Sequence, residues 1–423
     1  MDFNEPTRQF IASHRNDDVR DAALHAHQDD VDMPFALDQI EGWQRARTKL
    51  PQWAACEGII YPPHLAMEQC SSQSAAQYKA ALAKRLTADA PHPTTLIDIT
   101  GGFGVDFSFM ARAFDQAIYI ERQAQLVGLA RHNMQALGLD HARYLNADAT
   151  AVLGGLPPAT LIMADPARRD AHGSRTYAIA DCTPDMLAIL PQLTALAPTV
   201  IIKLSPMLDW HQAVRDCTGA LAASPTRATV TEVHIVSVHN ECKELLLVIR
   251  ADNGTAAGKT ATDDSTTNDS TTDIDPLVVC ADDDTVFSFR QTQAREAGAT
   301  GHDEPSAAGQ PAYLYEPNAS LMKAGCFDVL AARFAVRPVD RNSHLFVSDT
   351  PIADFPGRRF AIRAYGPVKR TLHGISRANV AVRNYPASVA QVRKRYHIAD
   401  GGDTFIFLTT MSGRKTAFVC AKA

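Results

Sequence analysis

The sequence predicts an α/β fold in which a parallel sheet is followed by a second module of mixed helices and strands. Between residues 95 and 203, apolar strand-like runs alternate with helix-like segments, and most runs end in a turn that carries glycines or an acid. Continuous apolar runs of this kind are typical of parallel strands that are buried on both faces. Because ligands bind beyond the carboxyl ends of such strands, these turns predict where the functional site lies.

The elements of this region follow a regular order. We predict strands at 95–99, 117–120, 143–146, 160–164 and 199–203, and helices at 105–114, 123–137 and 184–196. After residue 203 the rhythm changes, because the strand-like runs 228–238 and 244–250 are joined by the polar residues 239–243, which is typical of a hairpin. The predicted sheet is therefore parallel and ends on an antiparallel hairpin.

The segments that precede and follow this region differ from it in composition. Residues 1–75 read as a helical N-terminal region, with helix-compatible stretches at 38–49 and 67–86, and residues 76–252 form the predicted α/β domain. Residues 253–284 are acidic, with eight acids against one lysine, and are rich in Thr, Asp and Ser. Such a composition buries too little apolar surface to fold, so we predict a flexible insertion.

A C-terminal module begins near residue 311. Its predicted elements are a short basic helix at 386–396 and strands at 333–339, 344–348, 358–365, 378–384, 403–409 and 416–420. Residues 311–423 contain seventeen Lys and Arg against seven Asp and Glu, a net charge of +10, whereas the whole chain carries −6. This asymmetry indicates an anionic partner, although a solvated basic face has the same composition.

The remaining composition indicates in which compartment the protein acts and whether it binds a membrane or a metal. A hydrophobic content of 46% and a charged content of 21% fit a globular protein. The sequence has no apolar leader and no run of transmembrane length, so we expect a cytoplasmic protein without a membrane partner. Its eight cysteines form no CxxC pair, so we expect reduced thiols, no disulfide and no metal site.

The turn after the first strand has the features of a cofactor-binding loop. The loop 100–104, Thr-Gly-Gly-Phe-Gly, lies between a strand and a helix, where glycines let backbone amides approach a ligand. Asp98 ends the first strand, Glu121 ends the second, and Asp148 follows the third. A carboxylate after the second strand can accept hydrogen bonds from ribose hydroxyls. Dinucleotide binding is disfavoured, because Phe107 occupies the position of its third glycine.

The fourth strand ends in the segment Asp165-Pro-Ala-Arg-Arg169, on the same predicted edge as the loop. The Asp165 carboxylate and the Pro166 carbonyl are acceptors that could hold the two hydrogens of an amine in a fixed orientation. Asp-Pro is also a common turn opener, so the motif alone leaves both readings open. Arg168 offers a guanidinium plane for base stacking, and Arg169 and Lys203 could line a path for an anionic substrate.

These segments, in this order, resemble the class I S-adenosylmethionine-dependent methyltransferases. The resemblance implies a Rossmann-like sheet with a terminal antiparallel hairpin and S-adenosylmethionine as the cofactor. It implies that the loop at Gly102 and Gly104 cradles the methionine moiety, that Glu121 holds the ribose and that Asp148 reads the adenine. The full set of implied cofactor-binding residues is Asp98, Thr100, Gly102, Phe103, Gly104, Asp106, Glu121, Arg122, Asp148 and Ala149.

The chain departs from the pattern of this family at three positions. Thr100 stands where the usual loop has its first glycine, and Ala167 and Arg168 stand where base-amine methyltransferases have a proline and an aromatic residue. Carbon-5 uracil methyltransferases have a similar Asp-Pro segment but need a cysteine nucleophile in a companion motif. Cys182 and Cys242 lie in no such motif, so this chemistry is disfavoured.

The rest of the chain resembles bacterial methyltransferases that have a THUMP-like C-terminal domain. The segments that carry this resemblance are 69–79, 315–325, 342–346, 354–358, 384–386 and 401–403. The resemblance implies a ferredoxin-like segment at 285–360 and a THUMP-like basic domain at 361–423, and, by analogy with THUMP domains, RNA (tRNA or rRNA) as the partner. Basic residues that suit phosphate contacts, with a solvated basic helix as the alternative, are Arg383, Arg393, Lys394 and Arg395.

The sequence therefore predicts an S-adenosylmethionine-dependent methyltransferase that modifies a base in RNA, with an exocyclic amine as the favoured target. Two alternatives stay open. One is a non-catalytic RNA-binding protein on a decayed methyltransferase fold, motivated by the three departures from the family pattern. The other is a small-molecule methyltransferase. The four retained acids argue against the first, and the basic C-terminal module argues against the second.

Overall fold

The computed structural model describes residues 4–24, 30–62, 64–168, 179–222, 224–251, 275–299 and 311–423. The chain divides into two compact units. Unit 1 consists of Met1–Val233 and Lys243–Ile274, and unit 2 of His234–Cys242 and Asp275–Ala423. Among the described residues, no helix is both long and apolar enough to cross a membrane.

Helices precede the sheet of unit 1. They are α1 (Glu5–His14), α2 (Val19–Leu24), α3 (Met33–Lys49), α4 (Pro51–Ala55), α5 (His64–Gln69) and α6 (Gln73–Leu86). Helix α6 has its own N-cap, because the Ser72 hydroxyl accepts a hydrogen bond from the Ala75 N–H at 3.3 Å. The prediction of one helix over 67–86 was therefore wrong, since Ser72 starts a new helix after a break.

Seven neighbouring strands of a nine-stranded sheet belong wholly or partly to unit 1. They are β1 (Thr95–Asp98), β2 (Gln116–Glu121), β3 (Ala142–Asn146), β4 (Leu161–Ala164), β5 (Thr199–Leu204), β6 (Ala228–Val238) and β7 (Glu241–Ala251). Their order is β6-β7-β5-β4-β1-β2-β3. Strand β7 is antiparallel to β5, and the pairs from β5 to β3 are parallel. The predicted parallel sheet with a terminal antiparallel hairpin is confirmed. Strands β1 and β4 are buried throughout, as continuous apolar strands of such a sheet are.

Helices connect these strands. They are α7 (Val105–Met110), α8 (Ala124–Ala136), α9 (Ala149–Val152), α10 (Met186–Leu196) and α11 (Trp210–Ala222). Short 3-10 turns lie at Ala111–Ala113, Leu153–Gly155 and Ile179–Asp181, and two-residue strands pair at Ala167–Arg168 and Cys182–Thr183. The sequence analysis missed α11, which buries Trp210, Val214 and Cys217 on one face.

Unit 2 begins with a hairpin of β8 (Leu277–Asp282) and β9 (Thr285–Arg290), which pair antiparallel. The predicted flexible insertion 253–284 was wrong at its C-terminal end, because the apolar run there forms β8. Residues 253–274 of that prediction lie outside the described residues. Helix α12 (Gln291–Ala299) follows the hairpin.

The C-terminal part of unit 2 is a seven-stranded sheet with helices. Its strands are β10 (Tyr313–Pro317), β11 (Arg337–Pro338), β12 (Phe346–Ser348), β13 (Gly357–Pro367), β14 (Asn379–Val382), β15 (Thr404–Met411) and β16 (Arg414–Lys422), and its helices α13 (Ala319–Ala324), α14 (Phe327–Phe334), α15 (Val368–Thr371) and α16 (Val389–Tyr396). The order is β11-β12-β10-β13-β16-β15-β14. The strand predicted at 333–339 is present only as Arg337–Pro338, because α14 runs to Phe334 and ends at Ala335 in the left-handed conformation (φ 50°).

Candidate active site

The loop 100–104 joins β1 to α7 and packs against β2. A Cβ atom added at Gly101 would lie 2.1 Å from the Tyr119 ring, and one at Gly104 would lie 2.8 Å from the Met134 Cε. Gly102 (φ 57°) and Gly104 (φ 86°) also have left-handed backbone, which favours glycine. The Tyr119 hydroxyl donates to the Gly102 carbonyl. The glycines of this loop are therefore required by its close packing as well as by its backbone.

Glu121 connects the loop to the end of β2. Its side chain is buried, and its two carboxylate oxygens accept from backbone N–H groups of different segments. Oε2 accepts from Gly102 at 3.0 Å, and Oε1 accepts from Gln123 at 2.8 Å. The carboxylate predicted to hold a ribose thus also fixes the position of the glycine loop.

Thr100 connects the ends of β1 and β4. Its N–H donates to the Asp98 Oδ1 at 3.0 Å, and its hydroxyl accepts from the Asp165 N–H at 2.5 Å. A glycine, which the family has at this position, could not make the second contact. The departure at Thr100 therefore has a structural role, since it holds the cofactor loop and the Asp-Pro segment together.

The carboxylates at this edge of the sheet act on one another. Asp98 is only 4% exposed. Burial first, and then the negative charges of Asp106, Asp165 and Glu121, raise the pKa of Asp98 to about 7, against the hydrogen bond from Thr100. Carboxylates that follow three adjacent strands, β2, β1 and β4, are therefore close enough to share one electrostatic environment. A cation bound among them would be stabilised.

Asp165 lies at this edge in an ion pair. Its Oδ2 accepts from the Lys203 Nζ at 2.5 Å, and the side chains are 44% and 13% exposed, respectively. Burial alone would lower the pKa of Lys203, but the carboxylates of Asp165, Asp106 and Glu244 raise it above its ordinary value. The lysine is therefore a fixed cation, and Pro166 beside the aspartate is buried.

The other residues predicted to bind the cofactor lie around this centre. Asp148 is the N-cap of α9 and accepts from the Thr150 N–H and hydroxyl at 2.9 and 2.6 Å, which lowers its pKa. Ala149 follows it and is buried, whereas Arg122 is exposed. The ring of Phe103 packs against that of Trp53, with centroids 4.9 Å apart.

Not all residues predicted for catalysis can be placed. The backbone of Arg168 pairs with that of Cys182 in the short two-stranded pair. Arg169 lies outside the described residues.

A buried ionic cluster beside the site was missed by the sequence analysis. The side chain of Lys79, on α6, is fully buried and lies 3.2 Å from the Asp106 Oδ1, and its Nζ also donates to the Glu244 carboxylate. The Ser71 hydroxyl contacts Asp106 and Glu244 at 2.9 and 3.1 Å. Lys79 lies in the segment 69–79, which carried the family resemblance. Its partner Glu244 is 165 residues away along the chain, so no local pattern joins the two.

The basic residues predicted to bind RNA have different surroundings in unit 2. Arg383 donates to the buried Glu316 carboxylate at 2.8 Å, and Arg393 pairs with Asp400. Lys394 and Arg395 are exposed. The sequence alone could not distinguish the paired arginines from the exposed ones, because their acidic partners are distant along the chain or lie in a turn.

A groove borders Arg395. It has a volume of about 460 Å³, and its lining includes Lys369, His373, Arg395, Tyr396 and His397. The groove combines cationic side chains with an aromatic ring. Within the part of the chain that the structure describes, no group of three or more His, Cys, Asp or Glu residues could hold a metal ion.

Comparisons with known proteins agree with this architecture. Residues 313–356 match a ferredoxin-like domain family, and residues 357–422 match a THUMP domain-like family. A crystal structure of a methyltransferase candidate from Porphyromonas gingivalis W83 is 28% identical, with a TM-score of 0.78 over 100% of both chains. No curated protein is significantly similar to the chain.

Partial similarities to other solved structures cover about half of the chain or less. A SAM-dependent methyltransferase from Agrobacterium tumefaciens is 16% identical, with a TM-score of 0.32 over 41% of this chain and 61% of that one. An O-methyltransferase from Bacillus cereus in complex with SAH is 13% identical, with a TM-score of 0.33 over 49% and 90%. The full-length similarity confirms the predicted methyltransferase fold, and the two domain matches confirm that ferredoxin-like and THUMP-like domains follow it.

Proposed function

We propose that this protein is an S-adenosylmethionine-dependent methyltransferase that acts on an exocyclic base amine in RNA. The observation that carries the proposal is the grouping of Asp98, Glu121 and Asp165 after three adjacent strands, with Thr100 joining two of them. This edge of a parallel sheet is where α/β folds bind their ligands. An amine that receives a methyl group needs an exposed carboxylate beside the methyl donor to hold it, and Asp165 is such a carboxylate.

The polar groups and the glycine loop at this edge of the sheet fit S-adenosylmethionine. The Glu121 carboxylate can accept from ribose hydroxyls, and Asp148 at the start of α9 can accept from the adenine amine. The loop at Gly102 and Gly104 brings backbone close to the ligand without side chains. The negative charge around Asp98 suits a ligand with a cationic sulfonium and amine. When bound, this cofactor supplies an electrophilic methyl group, and the protein supplies the positions of the groups that receive it.

For the acceptor, the residues of the chain orient rather than react. Lys203 donates to the Asp165 Oδ2, which leaves Oδ1 and the neighbouring Pro166 carbonyl to accept the two hydrogens of an amine. An amine held in this way has its nitrogen lone pair directed away from the acceptors. Fixed orientation of two reactants supplies a large part of catalysis in group transfer of this kind. A decayed site would have no need for the Thr100 bridge that keeps Asp165 next to the loop.

We further propose that the groove beside Arg395 is the main RNA contact of the THUMP-like domain. Lys369 and Arg395 can neutralise phosphates, and the Tyr396 ring can stack on a base. The paired guanidinium groups of Arg383 and Arg393 contribute less, because each already has a carboxylate partner. The net charge of +10 over residues 311–423 supports an anionic ligand.

Transfer of a labelled methyl group from S-adenosylmethionine to total RNA from a deletion strain tests the function. We expect the label in one nucleoside, and Asp165→Ala should abolish it without loss of donor binding. Asp140→Asn is a matched control, since Asp140 is exposed and precedes β3 at the opposite edge of the sheet. Label in small metabolites but not in RNA, or none with any substrate, would contradict the proposal.

We also propose that the protein acts in the cytoplasm. All eight cysteines lie within the described residues, and none of them forms a disulfide there. Reduced cysteines support a reducing cytoplasm as the place of action.

A further inference from the structure

The buried ionic cluster of Lys79, Asp106, Glu244 and Ser71 has no role in the proposed chemistry. Lys79 lies 3.2 Å from Asp106 and donates to Glu244, while the Ser71 hydroxyl contacts both carboxylates. Two carboxylates thus share one ammonium group, and the cluster carries one net negative charge. Buried ionic groups of this kind are costly unless they are paired, so their presence beside an active site needs an explanation.

Lys203 lies next to this cluster. In the pairing of β5 with β7, Lys203 is opposite Leu246, and Glu244 precedes Leu246 by two residues. Because side chains alternate along a strand, Glu244 is on the same face as Lys203, at the distance of a diagonal pair. The charges of both Asp106 and Glu244 raise the pKa of Lys203, so both carboxylates are within electrostatic reach of its ammonium group.

Three carboxylates therefore compete for the ammonium group of Lys203. It donates to Asp165, whose side chain is 44% exposed, whereas the side chains of Asp106 and Glu244 are 12% and 4% exposed. Water screens an exposed carboxylate more than a buried one. Without a competing cation, the two buried carboxylates would hold the Lys203 ammonium more strongly than Asp165 does.

We propose that Lys79 is a positioning residue of the site: by neutralising Asp106 and Glu244, it leaves Lys203 bound to Asp165. The N-terminal helix α6 would then determine the orientation of the acceptor carboxylate without contacting substrate. The significance for catalysis depends on the proposed function, but the choice of partner by Lys203 can be measured in the free protein.

Carbodiimide cross-linking measures that choice directly. The reagent activates a carboxyl group as an O-acylisourea, and the paired lysine, after losing a proton, attacks it to form an amide with release of a urea. Mass spectrometry of peptides then identifies the partner. In the wild type we expect the Lys203–Asp165 cross-link. In Lys79→Met this cross-link should decrease by more than half, and cross-links of Lys203 to Glu244 or Asp106 should appear. The double variant Lys79→Met/Glu244→Gln restores the net charge of the cluster and should recover the Lys203–Asp165 cross-link.

Arg85→Met is the matched control. Arg85 is on the same helix α6 and pairs with Glu232 near the surface, so its loss should leave the cross-links of Lys203 unchanged. If Lys79 served packing alone, the double variant would not recover what Lys79→Met loses. Where Lys79→Met does not fold, Lys79→Gln provides the test, because it removes the same charge and keeps a polar group that can donate to Glu244.

Kinetics give the second readout. We expect kcat of Lys79→Met to be lower by roughly tenfold to a hundredfold, as for a displacement of about 1 Å at the reacting groups. The KM for the donor and its binding should be unchanged. An unaltered Lys203–Asp165 cross-link in folded Lys79→Met or Lys79→Gln would overturn the inference. An absence of methyl transfer by the wild type would instead refute the proposed function and leave the cross-linking result readable.

Discussion

Replacing the buried Asp98 should make unit 1 more stable at neutral pH. The pKa of Asp98 is raised to about 7 from an ordinary 3.8. A carboxyl with a raised pKa in the folded state contributes stability in full below its unfolded pKa and loses it as the pH rises through the folded one. Each pH unit of difference corresponds to about 1.36 kcal/mol, which gives about 4 kcal/mol between pH 4 and pH 8 for this buried group.

Asp98→Asn removes this dependence, because the amide does not titrate and its oxygen can still accept from the Thr100 N–H. Relative to wild type, the free energy of unfolding of the variant should increase by about 4 kcal/mol from pH 4 to pH 8. Any constant cost of the substitution cancels in this comparison. Its donor affinity should be lower, because a negative charge that favours a cationic ligand is lost.

Denaturant unfolding followed by tryptophan fluorescence measures the effect. The three tryptophans of the chain, Trp43, Trp53 and Trp210, all belong to unit 1, so their signal reports that unit. Asp115→Asn is a control of opposite sign. Hydrogen bonds from His92 and Thr94 lower the pKa of Asp115 to about 2, so this variant should be less stable at pH 8, with a difference that shrinks between pH 4 and pH 2.

A stability difference between Asp98→Asn and wild type that stays flat from pH 4 to pH 8 would refute the reasoning. It would mean that Asp98 is already ionised at acid pH. Neither the burial of Asp98 nor the neighbouring carboxylates would then disfavour its charged form.

Three further predictions follow from other contacts. Glu121→Gln should weaken S-adenosylmethionine binding by roughly tenfold to a hundredfold in calorimetry, since a charged hydrogen-bond acceptor is worth about 1.5–3 kcal/mol; unchanged affinity would contradict its role. Thr100→Val should lower the free energy of unfolding by about 0.5–1.5 kcal/mol, because the exposed hydrogen bond from the Asp165 N–H is lost, whereas Thr100→Ser should resemble wild type. Lys369→Ala should reduce the salt dependence of RNA binding by about one phosphate contact, whereas Arg393→Ala should leave it unchanged, and the reverse result would exclude the groove as the contact.

The strands of unit 1 could be predicted because their sequence signal is local. Apolar runs such as Leu161–Ala164 are buried on both faces, and the turn residues that end them stand out. Helix α11 was missed although the sequence carries its signal, since its buried residues recur at helical spacing: Trp210, Ala213, Val214, Cys217 and Leu221. The strand predicted at 333–339 shows a physical limit, since a short apolar run fits either a helix end or a strand.

Some residues of the candidate site could be predicted from the sequence, and others could not. Asp98, Glu121 and the glycine loop follow directly from the order of strands and turns. The partners of Lys203 and Lys79 depend on contacts between elements that are far apart in sequence, such as Glu244, and no local pattern identifies them. Charge counting was misleading for Arg383, because a buried acid from another strand already neutralises it.

Strand β10 of the ferredoxin-like match and β13 of the THUMP-like match are hydrogen-bonded neighbours, in register from Tyr313 opposite Ala361 to Pro317 opposite Gly357. The backbones approach so closely that a Cβ atom at Gly357 would lie 2.2 Å from the Glu316 carbonyl oxygen. The buried Glu316 carboxylate also accepts from Arg358 and Arg383 across the same boundary.

Two families that are recognised one after the other in the sequence are thus halves of one folded body. A fragment cut at residue 357 would expose a long unpaired strand edge, which invites aggregation, and would deprive two arginines of their acid. We therefore expect that neither half folds stably without the other.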